Sequence, residues 1–295
     1  MDAPARAVRA PTTITAMNDV GRDQRGGKGE DVLPAFSHTL FGWFMWYVRK
    51  YLARNFHAVR LLKEQAGGGA IPRISGEPVI FYSNHPGWWD PLIFLAVGQT
   101  LFPDRMVYGP IDAAALGKYK FMERIGFIGI DPQSRSGAAR FLRTVRAAGR
   151  RTDVIYWITA QGEFTDPRIR PAVLRAGVGH AAAAADRGLI VPLVVEYPFW
   201  NERSPEALVA FGQSIRLGES TDRSAEEWTE LLARGLEKAQ DRLAAAAIFR
   251  DPKRFTPLLA GRVGVGGVYD IVRRVGAFLR GERFDASHGG ERVLP

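Results

Sequence analysis

The sequence predicts an α/β fold with a mostly parallel central sheet flanked by helices, preceded by an amphipathic N-terminal helix suited to docking on a membrane. Three observations carry this. The short runs Pro78–Tyr82, Val154–Ile158 and Leu189–Val195 are rich in β-branched and aromatic residues and read as buried strands. Longer segments with helical periodicity separate them, the alternation that goes with a parallel sheet. Ahead of them, Phe36–Leu52 is dense in aromatic residues and carries Arg49 and Lys50 near its end.

Taken in order, residues 1–33 are rich in Gly, Ala, Arg and Asp and read as a disordered tail. No apolar stretch follows their basic residues, so no secretory signal is expected. Residues 34–66 form the expected N-terminal amphipathic element. Its unbroken apolar run is shorter than the roughly 20 residues a spanning helix needs, and no other stretch reaches that length. Attachment should therefore be peripheral, on the cytoplasmic face of a membrane. The element reads either as an interfacial helix with Arg54, Arg60 and Lys63 extending its basic flank, or as a helix packed across the domain's own groove.

Gly67-Gly68-Gly69 leads into the main α/β domain, residues 70–250. After the strand Pro78–Tyr82, Pro91–Val97 starts a helix, with Asp90 as its cap and Pro91 at its first position. Met106–Tyr108 is a second strand, Ala113–Ile125 a helix, and Gly126–Ile130 a third strand or a turn into one. Ser136–Arg151 is a helix with Arg140, Arg143, Arg146 and Arg150 on one face. That face reads as a contact for anionic lipid or coenzyme A phosphates, or as a solvated stripe. Val173–Arg187 is a helix stopped by Gly188, and Val209–Gly212 with Ile215 an edge strand. Ala225–Phe249 is a long helix opened by a Ser224-x-x-Glu227 capping box. Residues 251–295 are expected to be a basic helical extension.

Composition narrows the chemistry. Hydrophobic residues make up 46% of the 295, enough for a large core. With no cysteine, disulfides, thiolate-bound zinc and thiol catalysis are excluded. A net charge of +9 points to an anionic partner, or simply to Arg-rich usage. No nucleic-acid-binding motif accompanies the charge, so nucleic acid is not expected as a partner.

The chemistry is expected between the first strand and its helix, in Ser83-Asn84-His85-Pro86-Gly87-Trp88-Trp89-Asp90. The carboxyl end of a strand is where α/β folds expose functional groups. His85 could take a proton from a hydroxyl and return it to a leaving group, and Asp90 could fix its tautomer. On a continuous helix residues five apart lie about 140° apart, so the two meet only if the chain turns between them. Pro86-Gly87 supplies that turn. Ser83 lacks the setting of a serine nucleophile, so a substrate hydroxyl would attack directly. The bland alternative is a pair that only caps a helix. His180 reads as a packed or surface histidine. Glu196 reads as a site residue or as a partner for one of the arginines.

Asn84-His85-x-x-x-x-Asp90 resembles the first block of the glycerolipid acyltransferase family, which includes lysophosphatidate and glycerol-3-phosphate acyltransferases. Gly126–Asp131 resembles the second block, Ala160-Gln161-Gly162-Glu163 the third, Leu174-Arg175-Ala176-Gly177 a basic-Gly segment downstream, and Val191–Val195 the fourth, all in the family's order. The resemblance covers residues 75–200. It implies transfer of a fatty acyl group from acyl-CoA or acyl carrier protein, as co-substrate without metal or other cofactor, to a lysophospholipid, glycerol phosphate or related lipid. His85 would be the base and Asp90 its orienter. Substrate contacts would fall to Asn84, Arg135, Gln161, Gly162, Glu163, Arg168 and Arg175, with Gly162 a candidate oxyanion-hole position. The chain departs from the pattern where phosphate would bind: Pro132 stands for an Arg in the second block, and Phe164 for an Arg in the third. The departures favour a bulkier or less charged acceptor. A basic lipid-binding protein with an inert dyad is the competing reading.

Overall fold

In the computed structural model, residues 32–261 are described, except 68, 75 and 219–222. The tail expected over residues 1–33 thus lies outside the description up to residue 31, and the C-terminal extension lies outside it beyond residue 261.

Alternating apolar runs build a mixed, mostly parallel sheet of nine strands. In chain order the elements are α1 (His38–Asn55), β1 (Ala58–Leu62), β2 (Val79–Ser83), α2 (Asp90–Leu101), β3 (Met106–Asp112), α3 (Ala113–Lys118), β4 (Phe127–Ile130), α4 (Arg135–Gly149), β5 (Val154–Thr159), α5 (Ala176–Ala183), β6 (Gly188–Glu196), β7 (Glu206–Phe211), β8 (Ile215–Leu217), α6 (Ala225–Ile248) and β9 (Phe255–Ala260). The strand order is β4-β3-β5-β2-β6-β7-β1-β9, and β8 also pairs with β6. The run from β4 to β6 is parallel; β7 and β8 lie antiparallel to β6, and β9 antiparallel to β1.

Because side chains alternate across a strand, each central strand feeds two cores. Ile80, Tyr82, Tyr156, Ile158, Ile190 and Val194 join the core under α4, α5 and α6. Val79, Phe81, Ile155, Trp157, Val191 and Leu193 join the one under α1 and α2. Pro192 sits in the middle of β6, where it has no N–H to give. Its carbonyl accepts from Gly212 N at 2.8 Å, at the break between β7 and β8. A Cβ on Gly212 would lie 2.3 Å from Pro192 Cγ, so this crossing requires glycine.

The topology creates a crevice. β2 and β5 are parallel neighbours, yet α2, which follows β2, packs on one face, and α5, which follows β5, packs on the other. Chains leaving adjacent strands toward opposite faces open a cleft at the carboxyl edge, where ligands bind in such sheets. β3 widens it, pairing with β5 only through Tyr108 and with β4 from Gly109 onward.

Several expectations change. The element expected over residues 34–66 is not wholly helical, since α1 is followed by strand β1. Arg60 is not part of a basic flank: it is buried on β1, with Nε donating to Glu206 Oε2 at 2.9 Å. The run at Val209 is an interior strand between β6 and β1. Helix α5 is shorter than the Val173–Arg187 expected. Residues 255–260, inside the extension expected to be helical, form edge strand β9. The capping box at Ser224 and Glu227 is present as read.

Removing one partner of a buried ion pair strands the other charge, at a typical cost of about 3–5 kcal/mol. Glu206→Ala should therefore lower unfolding stability by about 3 kcal/mol or more, read from urea denaturation midpoints at unchanged slope.

Candidate functional site

Ser83 ends β2, and the six residues between it and Asp90 make the turn that places the dyad. Asp90 opens α2 with Pro91 beside it, but the N-cap residue is Trp89 and no side chain caps the helix. The Asp90 carboxylate turns back instead. Its Oδ2 lies 2.6 Å from His85 Nδ1 and accepts from Gly87 N at 3.1 Å. Its Oδ1 accepts from the Tyr197 hydroxyl. Asp90 is fully buried, and the His85 side chain is 17% exposed. Since a carboxylate only accepts, Nδ1 carries a proton, and in the neutral imidazole Nε2 is left with its lone pair. Nε2 has no hydrogen-bond partner among the described residues, and His85 lines a cavity.

That cavity has a volume of about 710 Å³, in the range of small-molecule sites. His85, Gly162 and Arg175 are part of its lining, and its walls are mainly apolar, with Phe94, Tyr108, Phe127 and Phe141 among them. It occupies the gap where β3 splays from β5.

The site's frame is made of backbone bonds. Asn84 is fully buried and its amide closes on β6: Nδ2 donates to Val195 O and Oδ1 accepts from Val195 N, both at 2.9 Å. Gln161 Oε1 accepts from His85 N at 2.8 Å, and Thr165 N donates to His85 O at 2.9 Å. Gly162, at φ +71°, donates its N–H to Thr159 O at 3.2 Å. A Cβ at Gly162 would meet the Arg175 side chain at 2.8 Å.

The residues singled out in the sequence thus separate. His85, Asp90, Gln161, Gly162 and Arg175 come together. Gln161 does so as a brace of the His85 backbone, whereas Asn84 ties β2 to β6, its buried amide turned onto Val195. Gly162 N–H, a candidate oxyanion donor, is engaged in its own turn. Glu163 and Arg175 are exposed and 3.9 Å apart at the mouth. Arg168 is exposed and turned onto Asp166, which it pairs with at 2.6 Å; its hydrogen bonds hold the Asp166 carboxyl below its ordinary range. Arg135, in the first turn of α4, is exposed and does not line the cavity. His180 does line it, while Glu196 is half-buried, and its carboxyl is pushed up mainly by burial.

Two residues touch the dyad in ways the sequence reading did not assign. Phe164 lays its ring edge-on to the His85 ring, centroids 4.7 Å apart. Tyr197 reaches Asp90 from the end of β6. Burial above all, and then the Asp90 charge, hold its phenol well above the ordinary range, so it stays a donor. The signal for Tyr197 was its place, just past a strand that neighbours the one carrying His85.

Among the described residues no group of three or more His, Asp or Glu could hold a metal ion. No protein-family model matches the chain, and no curated protein matches it.

Asn84→Ala would leave two buried backbone groups of Val195 without partners, at about 1–3 kcal/mol each. Its expected loss is about 2–4 kcal/mol by urea unfolding, whereas an exposed change at Arg135 should stay within about 0.5 kcal/mol.

Proposed function

We propose that the protein transfers a fatty acyl group from a thioester, acyl-CoA or acyl carrier protein, to a lipid hydroxyl. The observation that carries this is the His85–Asp90 pair, with Nε2 unpartnered among the described residues and His85 lining a mainly apolar cavity of about 710 Å³. The ordered resemblance to the glycerolipid acyltransferase blocks supports the same reading. An acceptor hydroxyl gives its proton to His85 Nε2 as its oxygen attacks the thioester carbonyl. The tetrahedral intermediate collapses, the C–S bond breaks, and the proton passes from His85 to the departing thiolate. Asp90 stabilises the imidazolium between these steps. Each methylene of the chain taken into the cavity adds about 0.8 kcal/mol of binding.

A second reading, a lipid-binding protein without turnover, draws support from Gly162, whose N–H is spent on Thr159 and offers no ready oxyanion donor. A thiol-release assay with acyl-CoA or acyl carrier protein, across lyso-lipids, glycerol phosphate and glycosylated lipid alcohols, separates the two. Turnover that falls about 10²–10⁴-fold in a folded His85→Ala variant supports transfer. Lipid binding with no thiol release, or wild-type turnover in that variant, rejects it.

The proposed setting is the cytoplasmic face of a membrane. No described helix is long and apolar enough to cross one. Helix α1 buries Phe41, Met45, Val48 and Leu52 against the domain and exposes Trp43 (69%) and Trp46 (60%) on its other side, near Arg49 and Lys50. Tyr47 stacks on Tyr51, and Tyr51 meets Trp88, itself 62% exposed, in the loop that carries His85. This aromatic band beside basic residues suits an interface rich in anionic lipid. Replacing Trp43 and Trp46 with Ser should weaken binding to anionic vesicles by about tenfold or more in a sedimentation assay, with little change in melting temperature.

A further inference from the structure

The His–Asp pair has a third member that its sequence spacing does not contain. Both bonds supplied by the turn, from His85 Nδ1 and Gly87 N, fall on the same oxygen of Asp90, Oδ2. Held on one oxygen alone, a carboxylate can swing about its Cβ–Cγ bond and carry the imidazole with it. The other oxygen receives the Tyr197 hydroxyl.

Tyr197 is itself well anchored. Its backbone lies two residues past Val195, which the Asn84 amide ties to the end of β2. Its ring rests on Phe56, centroids 5.6 Å apart, and Phe56 stands edge-on to Trp89, the residue before Asp90. The distance from Tyr197 to Asp90 is therefore set by the β2–β6 register. Tyr197 does not line the cavity, which removes it as a direct acid or base.

We propose that Tyr197 is a positioning residue: its hydroxyl locks the Asp90 carboxylate in the plane that keeps His85 Nδ1–H bonded and Nε2 aimed into the cavity. Only the rate readout of this assignment rests on the acyl-transfer reading. The phenol remains a neutral donor through the working pH range, because burial and the neighbouring carboxylate both oppose its ionisation.

The test uses Tyr197→Phe, which keeps the ring and removes the hydroxyl, and a second protein carrying 3-fluorotyrosine at 197, which keeps the shape and makes the phenol a stronger donor. The readout is the downfield proton resonance of His85 Nδ1, identified by its absence from His85→Gln. Tyr197→Phe should shift or broaden it, and should lower kcat about tenfold or more with KM within about twofold, the size expected for one hydrogen bond to a charged group. Fluorotyrosine should move the resonance upfield, as the phenol draws charge from the carboxylate. A resonance that stays in place in both proteins overturns the proposal, even if Tyr197→Phe is less stable, because a purely structural role predicts that result. If the wild-type chain turns over no acyl donor, the acyl-transfer reading falls, and the resonance alone upholds or overturns the role of Tyr197.

Discussion

A carboxylate with no exposed surface governs this site. Moving an ion of that size out of water costs several kcal/mol even after the protein relaxes, so Asp90 is tolerable only if its oxygens are fully met by donors. Three donors meet them: an imidazole N–H, a backbone N–H and a phenol. Each comes from a different structural requirement. The imidazole needs the chain to fold back within five residues, the backbone N–H needs Gly87 inside that turn, and the phenol needs β6 to end beside β2. Loss of any one leaves a buried charge under-satisfied, so the electrostatics of Asp90 tie the turn to the sheet.

The sheet meets that demand through one amide. Asn84 bonds both backbone groups of Val195, so the carboxyl ends of β2 and β6 cannot slip past each other. From the other side, the loop after β5 grips His85 by its own backbone, through Gln161 and Thr165. The histidine is thereby fixed by main-chain bonds on two flanks and by Asp90 at its ring. Under the acyl-transfer reading, a base set in place before substrate arrives loses little in reorganisation when charge develops. The cavity follows from the same topology, since β3 leaves β5 after Tyr108 and the space between them is walled by the apolar side chains that each strand already presents.

How much of this was legible depended on the range of the interaction. Strands β2, β5 and β6 declare themselves because burial on both faces demands continuous apolar runs, and α6 declares its start through a capping box closed within four residues. The dyad was legible because Pro86-Gly87 makes its turn local. Strand β1 was hidden because Arg60 breaks its apolar pattern, and the partner that makes Arg60 tolerable, Glu206, lies 146 residues away. Strand β9 was hidden for a related reason: at an edge, Thr256 and Pro257 stay exposed and the alternation fades. Asn84 read as a substrate contact because residue type alone does not tell a polar group facing a cleft from one closing a backbone gap. Arg168 read as a substrate contact for the same reason, until Asp166 took it up.

Under the acyl-transfer reading, the disposition of charge and cavity also weighs the two ends of a lipid substrate against each other. Arg175, the arginine at the cavity mouth, is 68% exposed and faces Glu163, while Arg168 is paired and more exposed still. Contacts with cations so open to water are worth roughly 0–1 kcal/mol. A chain entering the apolar walls gains about 0.8 kcal/mol for each methylene, so a handful of carbons outweighs any headgroup contact of that kind. Phe164, edge-on to the histidine ring, adds an apolar surface where a charged acceptor would look for a cation. Under the acyl-transfer reading, discrimination at this site would therefore come from the hydrocarbon more than from the phosphate. The departures of Pro132 and Phe164 from the resembled pattern then follow from one cause: an acceptor held by its apolar body leaves those positions free of the need for arginine.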